Sequence, residues 1–387
     1  MWVKKRHHWV FALLRPVFRI YFRFHYRFKA ERYSLPKGPH LILGNHVTTM
    51  DVFMMALSFD RPVYYIASDD LFNKKLLSWI LRTLVAPIPK SKSVSDLQAV
   101  KTSLRVIKEG GTIGIFPEGN RTYSGRQCRI DPSIAKLCKL CKVPVVLYHI
   151  EGGYGAEPRW ANHISKGRVR GFVVRVLSVE EVRELSVEDL YETIKTTLHV
   201  DNLYPQVSFH SRRGAEKLER ILYRCPNCHS LQTVYSHRTH LFCRACDLKV
   251  EYTPELSFAG NISHHNVLEW FEEQERWMAQ LPIEKDKTVF QDEDVRVFHV
   301  IRLKRKELIN RGTLLIKTDG LLAKSKDKEQ FFSYESIKEM TVVGKHKLNF
   351  YIDQETYQLK GQKDFNVLKI IQLFYHCKGD KDEFLGL

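Results

Sequence analysis

Between residues 38 and 177 one pattern recurs: a short apolar run ends in a glycine-rich or polar turn, and an amphipathic stretch follows. "PHLILGNH", "RPVYYIAS", "GGTIGIFPEG", "KVPVVLYHI" and "GRVRGFVVRVL" read as strands. "MDVFMMALSF" and segments over roughly 70–83 and 94–109 read as helices. Strands alternating with helices indicate an α/β domain, a mixed sheet flanked by helices. In that class the reactive side chains gather in the loops at strand ends, which is where His46, Glu118 and Arg121 fall.

Charge narrows the partners. The formal net charge is +17, and the first 150 residues hold 25 Lys+Arg against 9 Asp+Glu. Such a field attracts nucleic acid, anionic lipid or a phosphorylated substrate. No apolar run has the length of a membrane span. In "RPVFRIYFRFHYRFKAER", Arg15, Arg19, Arg23 and Arg27 recur every fourth residue. At ~100° per residue they make one basic stripe, with Phe18, Phe22 and further apolar residues on the opposite arc. This is the pattern of an interfacial helix, and also of a helix packed on its own domain with a solvated arginine face. So many bulky apolar residues make nucleic acid the poorer match. "WVFALL" is too short for a signal-peptide core, so the expected location is the cytoplasmic face of a membrane, held peripherally. The eight cysteines are then expected to be thiols or metal ligands.

"GNHVTTMDVFMM" places His46 and Asp51 five residues apart, too far round a regular helix to face each other. The histidine must precede the helix. With Thr48 or Thr49 as N-cap, Asp51 occupies the first turn and curls back to the imidazole. A carboxylate on one ring nitrogen leaves the other as a base.

His46-x₄-Asp51 followed by Phe116-Pro117-Glu118-Gly119-Asn120-Arg121-Thr122 resembles the glycerolipid acyltransferase family, which includes lysophosphatidate (1-acyl-sn-glycerol-3-phosphate) acyltransferase. The resemblance covers roughly residues 1 to 205. It implies that His46 is the general base oriented by Asp51, and that Glu118 and Arg121 line the acceptor-phosphate site, with Gly119 permitting close approach. The implied substrates are acyl-CoA or acyl carrier protein and a lysophosphatidate-like acceptor, with phosphatidate as product in phospholipid biosynthesis and no catalytic metal. Arginine's planar fork suits phosphate, and the Pro-Glu-Gly turn is expected to expose N–H groups beside it. In "VAPIPKSKS", Lys90 and Lys92 stand where the family's second motif ends in arginine; they either neutralise phosphate as point charges or belong to a solvated loop. "VPVVLYHI" lacks a second proline usual in the fourth family block. "EGGYGAEPRW" reads as a surface turn or a cover for the site. Another lysolipid or glycerol 3-phosphate as acceptor is the nearest alternative, and a non-enzymatic membrane or nucleic-acid adaptor the alternative of another class.

Beyond residue 205, Cys225-x₂-Cys228 and Cys243-x₂-Cys246 have the spacing of a structural tetrahedral Zn²⁺ ribbon, with His229, His237 and His240 nearby as substitute ligands. Cys138 and Cys141 lie in a helical pattern without a second pair, as buried thiols. His264 has no acid at a suitable spacing. "NVLEWFEEQERWMAQL" reads as an amphipathic helix. Short alternating strands follow, with an Asp319-Gly320 hairpin turn and a basic cluster at Lys304, Arg305 and Lys306, and then a closing helix. This order resembles a pleckstrin-homology-like or GRAM-like module. The expected organisation is an amphipathic membrane-interface helix over 1–36, an acyltransferase domain over 37–205, a zinc ribbon with its flank over 206–255, a helical connector over 256–284 and the β-rich domain over 285–387.

Overall fold

The computed structural model describes residues 2–68, 86–90, 97–302 and 305–380. The helix predicted over 70–83, Lys92 and Lys304 lie outside these residues. The chain divides into two compact units, Met1–Arg159 with Ile164–His210, and Trp160–His163 with Ser211–Leu387.

The first unit opens with helix α1 (Lys5–His25), followed by β1 (Phe28–Ala30), β2 (Leu41–Gly44), α2 (Asp51–Ser58), β3 (Val63–Ser68), β4 (Ile88–Lys90) and α3 (Leu97–Lys108). Then come β5 (Thr112–Ile115), α4 (Ser133–Cys141), β6 (Val145–Glu151), the short α5 (Gly153–Ala156), β7 (Val169–Leu177), α6 (Val179–Glu184) and α7 (Val187–Thr197). The strands form one sheet in the order β1-β7-β6-β2-β5-β3-β4. All pairs are parallel except β6 with β7. The mixed α/β architecture is thus present. Leu41, Ile42, Ile113, Val145 and Leu147 in the central strands have no exposed surface, as expected of strands covered on both faces. β2 ends on Gly44, where a Cβ would crowd Met55 Cε at 2.3 Å and Phe116 Cε1 at 3.3 Å; α2 and the loop after β5 pack closely on the strand end.

Helix α1 divides its apolar residues between two faces. Phe22 is 1% exposed, and Phe18 packs on Phe53 of α2 with ring centroids 4.9 Å apart. Trp9, Leu13, Val17, Ile20 and Phe24 face outward, within an arc of about 80° at ~100° per residue. The expectation that Phe18 and Phe22 meet a membrane is therefore wrong: they anchor the helix to its own domain. Arg15 is half-buried, its Nη2 donating to Leu57 O at 3.4 Å. Arg27 lies past the helix end with φ 46° and is not on the helical stripe. Pro16 sits inside α1, and the residue whose carbonyl it leaves unbonded, Ala12, is exposed to water.

In the second unit, β8 (Val234–His237), β9 (His240–Cys243), β10 (Lys249–Tyr252) and β11 (Phe258–Gly260) make a four-stranded sheet, and α8 (Val267–Ala279) follows. His264, treated as unpaired from sequence, has its Nε2 2.9 Å from Glu273 Oε2, because α8 carries that acid back toward it. A seven-stranded antiparallel sheet comes next: β12 (Thr288–Arg302), β13 (Arg305–Lys317), β14 (Gly320–Lys324), β15 (Glu329–Ser333), β16 (Ile337–Val342), β17 (Lys347–Ile352) and β18 (Glu355–Lys360). Its order is β15-β14-β13-β12-β18-β17-β16. The β13–β14 hairpin forms one residue earlier than predicted: Thr318 and Asp319 make the turn, and Gly320 already opens β14, paired with Ser333. Inward residues Leu314, Ile316, Leu321, Phe332, Leu348, Phe350 and Leu359 pack with Ile370, Ile371 and Phe374 of the closing helix α9 (Leu368–Lys378).

Candidate active site

The loop between β2 and α2 carries His46, and three tethers fix it. Asn45 clamps its start to β6, with Nδ2 donating to Ile150 O at 3.0 Å and Oδ1 accepting from Ile150 N at 2.7 Å. Asp51, fully buried, closes the loop on itself: its carboxylate accepts from Val47 N at 2.6 Å, from Thr48 N at 2.9 Å and from Thr48 Oγ1 at 2.5 Å. Thr49 Oγ1 donates to Glu157 at 2.8 Å, and the same carboxylate accepts from Tyr26 OH at 2.7 Å. The helix cap is not a threonine. Met50 holds that position, and Asp51 satisfies the preceding N–H groups from inside the first turn.

His46 Nδ1 lies 2.7 Å from Asp51 Oδ2. A carboxylate only accepts, so in the neutral imidazole this contact selects the tautomer with the proton on Nδ1 and the lone pair on Nε2. The ring stacks on Phe116 at 4.7 Å, and Tyr65 stacks behind Phe116 at 6.2 Å. The imidazole is 23% exposed, so it is held on one side and open on the other. Among the described residues Nε2 has no protein partner.

The loop after β5 brings the second motif to this point. Glu118 turns inward and Oε1 accepts the His46 backbone N–H at 3.1 Å, with the Cys128 N–H also on its carboxyl. Burial pushes this carboxyl up to about 8, against those two hydrogen bonds. Glu118 thus braces the histidine loop instead of presenting charge to a phosphate. Gly119 has φ 64° with open space around it, so its role is the left-handed turn more than close approach. The turn's N–H groups are not exposed as expected: Gly119 N donates to Phe116 O at 3.1 Å and Asn120 N to Glu118 O at 2.7 Å. Arg121 is half-buried, with Nη1 buried and unpartnered. Lys90 closes β4 at the far edge of the sheet.

Sequence reasoning missed Phe116 as a platform for the imidazole, and it missed Tyr26, Glu157 and Arg159. The segment read as a surface turn or a cover for the site contains the buried α5, and Glu157 and Arg159 are themselves buried. The available signal was two charged residues in a glycine-rich stretch directly after a core strand.

In the second unit, Cys225, Cys228, Cys243 and Cys246 converge, all four Sγ atoms lying within 4.8 Å of one another. Cys225–Cys246 and Cys228–Cys243 are 3.6 Å and 3.7 Å apart. A tetrahedron with metal–sulfur bonds of ~2.3 Å has edges of about 3.8 Å, so the cluster could hold a metal ion. Cys138 and Cys141 are buried in α4, and burial pushes the Cys141 thiol up to about 11.

The family model described as Acyltransferase matches residues 25–150, which contain both motifs. Over 94 residues the chain is 29% identical to a 1-acyl-sn-glycerol-3-phosphate acyltransferase of Borreliella burgdorferi, covering 24% of this chain and 38% of that protein. Over 91 residues it is 28% identical to the Bacillus subtilis protein of the same name, covering 23% and 45%. Among solved structures, the 1-acyl-sn-glycerophosphate acyltransferase of Thermotoga maritima aligns with TM-score 0.41 and 18% identity, over 50% of this chain and 78% of that one. The chain spans less than half the length of the two curated relatives named here. Residues 25–150 carry a domain of the acyltransferase family.

Proposed function

We propose that the first unit transfers an acyl group from acyl-CoA or acyl carrier protein to the free hydroxyl of lysophosphatidate, forming phosphatidate. The observation that carries this reading is the His46 Nδ1–Asp51 contact at 2.7 Å on an imidazole that stays 23% exposed. His46 Nε2 takes the hydroxyl proton as that oxygen attacks the thioester carbonyl. The tetrahedral intermediate then collapses, the C–S bond breaks, and the imidazolium returns the proton to the departing thiolate. Asp51 holds the tautomer and stabilises the transient imidazolium. Arg121 supplies an always-charged fork for the acceptor phosphate.

The exposed face of α1 supports peripheral seating on an anionic membrane. Trp9, Leu13 and Phe24 are 73–78% exposed, residues 1–30 hold eight Lys and Arg, and no acid precedes Glu31. No helix among the described residues is long and apolar enough to cross a membrane. In the second unit, the cysteine cluster is a structural zinc site, and the seven strands with their terminal helix form a pleckstrin-homology-like module.

The test is acyl transfer from labelled acyl-CoA to lysophosphatidate by the full chain. His46→Ala is expected to abolish turnover and Asp51→Asn to lower it on the order of 10²- to 10⁴-fold, both with vesicle binding retained. Undiminished turnover by His46→Ala rejects the assignment.

A further inference from the structure

Arg159 lies beyond the residues matched by the family model, in the segment after β6. It is only 6% exposed. A guanidinium keeps its proton at any ordinary pH, so burying one without a counter-charge is costly. Among the described residues no carboxylate pairs with it. Its guanidinium lies 3.9 Å from the centroid of the Tyr123 ring, and Nη1 donates to Arg121 O at 2.9 Å and to Asn120 Oδ1 at 3.4 Å. Nε has no partner. Burial is the first influence on this group, lowering its pKa; Tyr123 and Cys128 act the other way, and Arg121 is a second cation beside it. Arg121 also has a buried nitrogen without a partner.

Two arginines with unsatisfied N–H groups and no acid between them thus meet where Arg159, from the segment after β6, holds Asn120 and Arg121 of the loop in which Glu118 accepts the His46 backbone N–H. The missing partner is an anion. We propose that Arg159 is a positioning residue for a phosphomonoester subsite centred on Arg121. Its fork holds the main chain of Arg121 and the side chain of Asn120. Its uncompensated charge, in surroundings of low dielectric, favours a dianionic headgroup over a neutral one. Arg159 itself need not touch the substrate. The inference deepens the acyl-transfer reading and rests on it for the identity of the anion.

The experiment titrates inorganic phosphate into the full-length protein by calorimetry, for wild type, Arg159→Met, Arg159→Lys and His46→Ala, beside steady-state kinetics with lysophosphatidate. For Arg159→Met, the phosphate Kd and the KM for lysophosphatidate are expected to rise roughly tenfold to a hundredfold, the worth of a lost charge-assisted hydrogen bond. A loss confined to positioning leaves kcat within about threefold, which general destabilisation of the site would not. Arg159→Lys keeps the charge without the fork, and its phosphate affinity is expected between those of wild type and Arg159→Met. If Arg159→Met does not fold, Arg159→Lys decides, and phosphate affinity equal to wild type overturns the proposal. Wild-type protein that binds no phosphate overturns it as well. His46→Ala should bind phosphate as wild type does. Phosphate binding by a wild type that acylates no lysophosphatidate would sink the proposed function while leaving this subsite standing.

Discussion

The backbone N–H of His46 donates to Glu118 Oε1 at 3.1 Å, joining two motifs 72 residues apart. Strand order explains it. β2 and β5 are parallel neighbours, so the loops leaving their C-terminal ends emerge side by side. Glu118 is therefore part of the frame that sets the histidine, with its carboxyl shielded from water.

That burial has a pH signature. The Glu118 carboxyl is raised from 4.5 to about 8 by desolvation, so the folded state holds its proton more tightly than the unfolded chain. Its contribution to stability is fully present below the unfolded value and is lost as pH rises through 8. Glu118→Gln keeps an acceptor for His46 N and never ionises. Its stability relative to wild type should therefore grow as pH rises between 4.5 and 8, read by urea unfolding at successive pH values. Parallel pH profiles would refute a buried, raised carboxyl. Glu118→Ala, which leaves the His46 N–H without its acceptor, should cost about 1–3 kcal/mol.

Zinc content checks the cysteine cluster. One zinc per full-length chain is expected by native mass spectrometry. Cys225→Ser with Cys243→Ser should remove it and unfold the ribbon, since a structural site contributes roughly 10 kcal/mol or more. A metal-free chain whose ribbon remains folded would count decisively against the site.

The two faces of α1 should respond differently to substitution. Serine at Trp9, Leu13 and Phe24 together removes exposed apolar surface, so folding should change by about 0.5 kcal/mol or less per position. Sedimentation with anionic vesicles should be lost. Phe22→Ser, inside the domain, should instead destabilise by about 3 kcal/mol or more. If the triple variant sediments with vesicles as well as wild type does, this face does not seat the protein on lipid.

The sequence by itself determined what depends on local pattern. Uninterrupted apolar runs gave the core strands, because a strand covered on both faces has no polar side to show. The five-residue spacing put His46 ahead of a helix and Asp51 in its first turn. Two Cys-x₂-Cys pairs gave a four-sulfur cluster, since those spacings place two thiols on each of two tight turns. Only the tertiary structure decided which apolar residues of α1 face inward: all are of one chemical kind, and neighbouring elements alone distinguish Phe22 from Phe24. Only the fold turned Glu118 into a brace, by setting an N–H where its carboxyl could accept it. It also drew Glu157 and Arg159 out of an apparently plain glycine-rich loop, because burial and partners arise from contacts between distant segments, which no local spacing encodes.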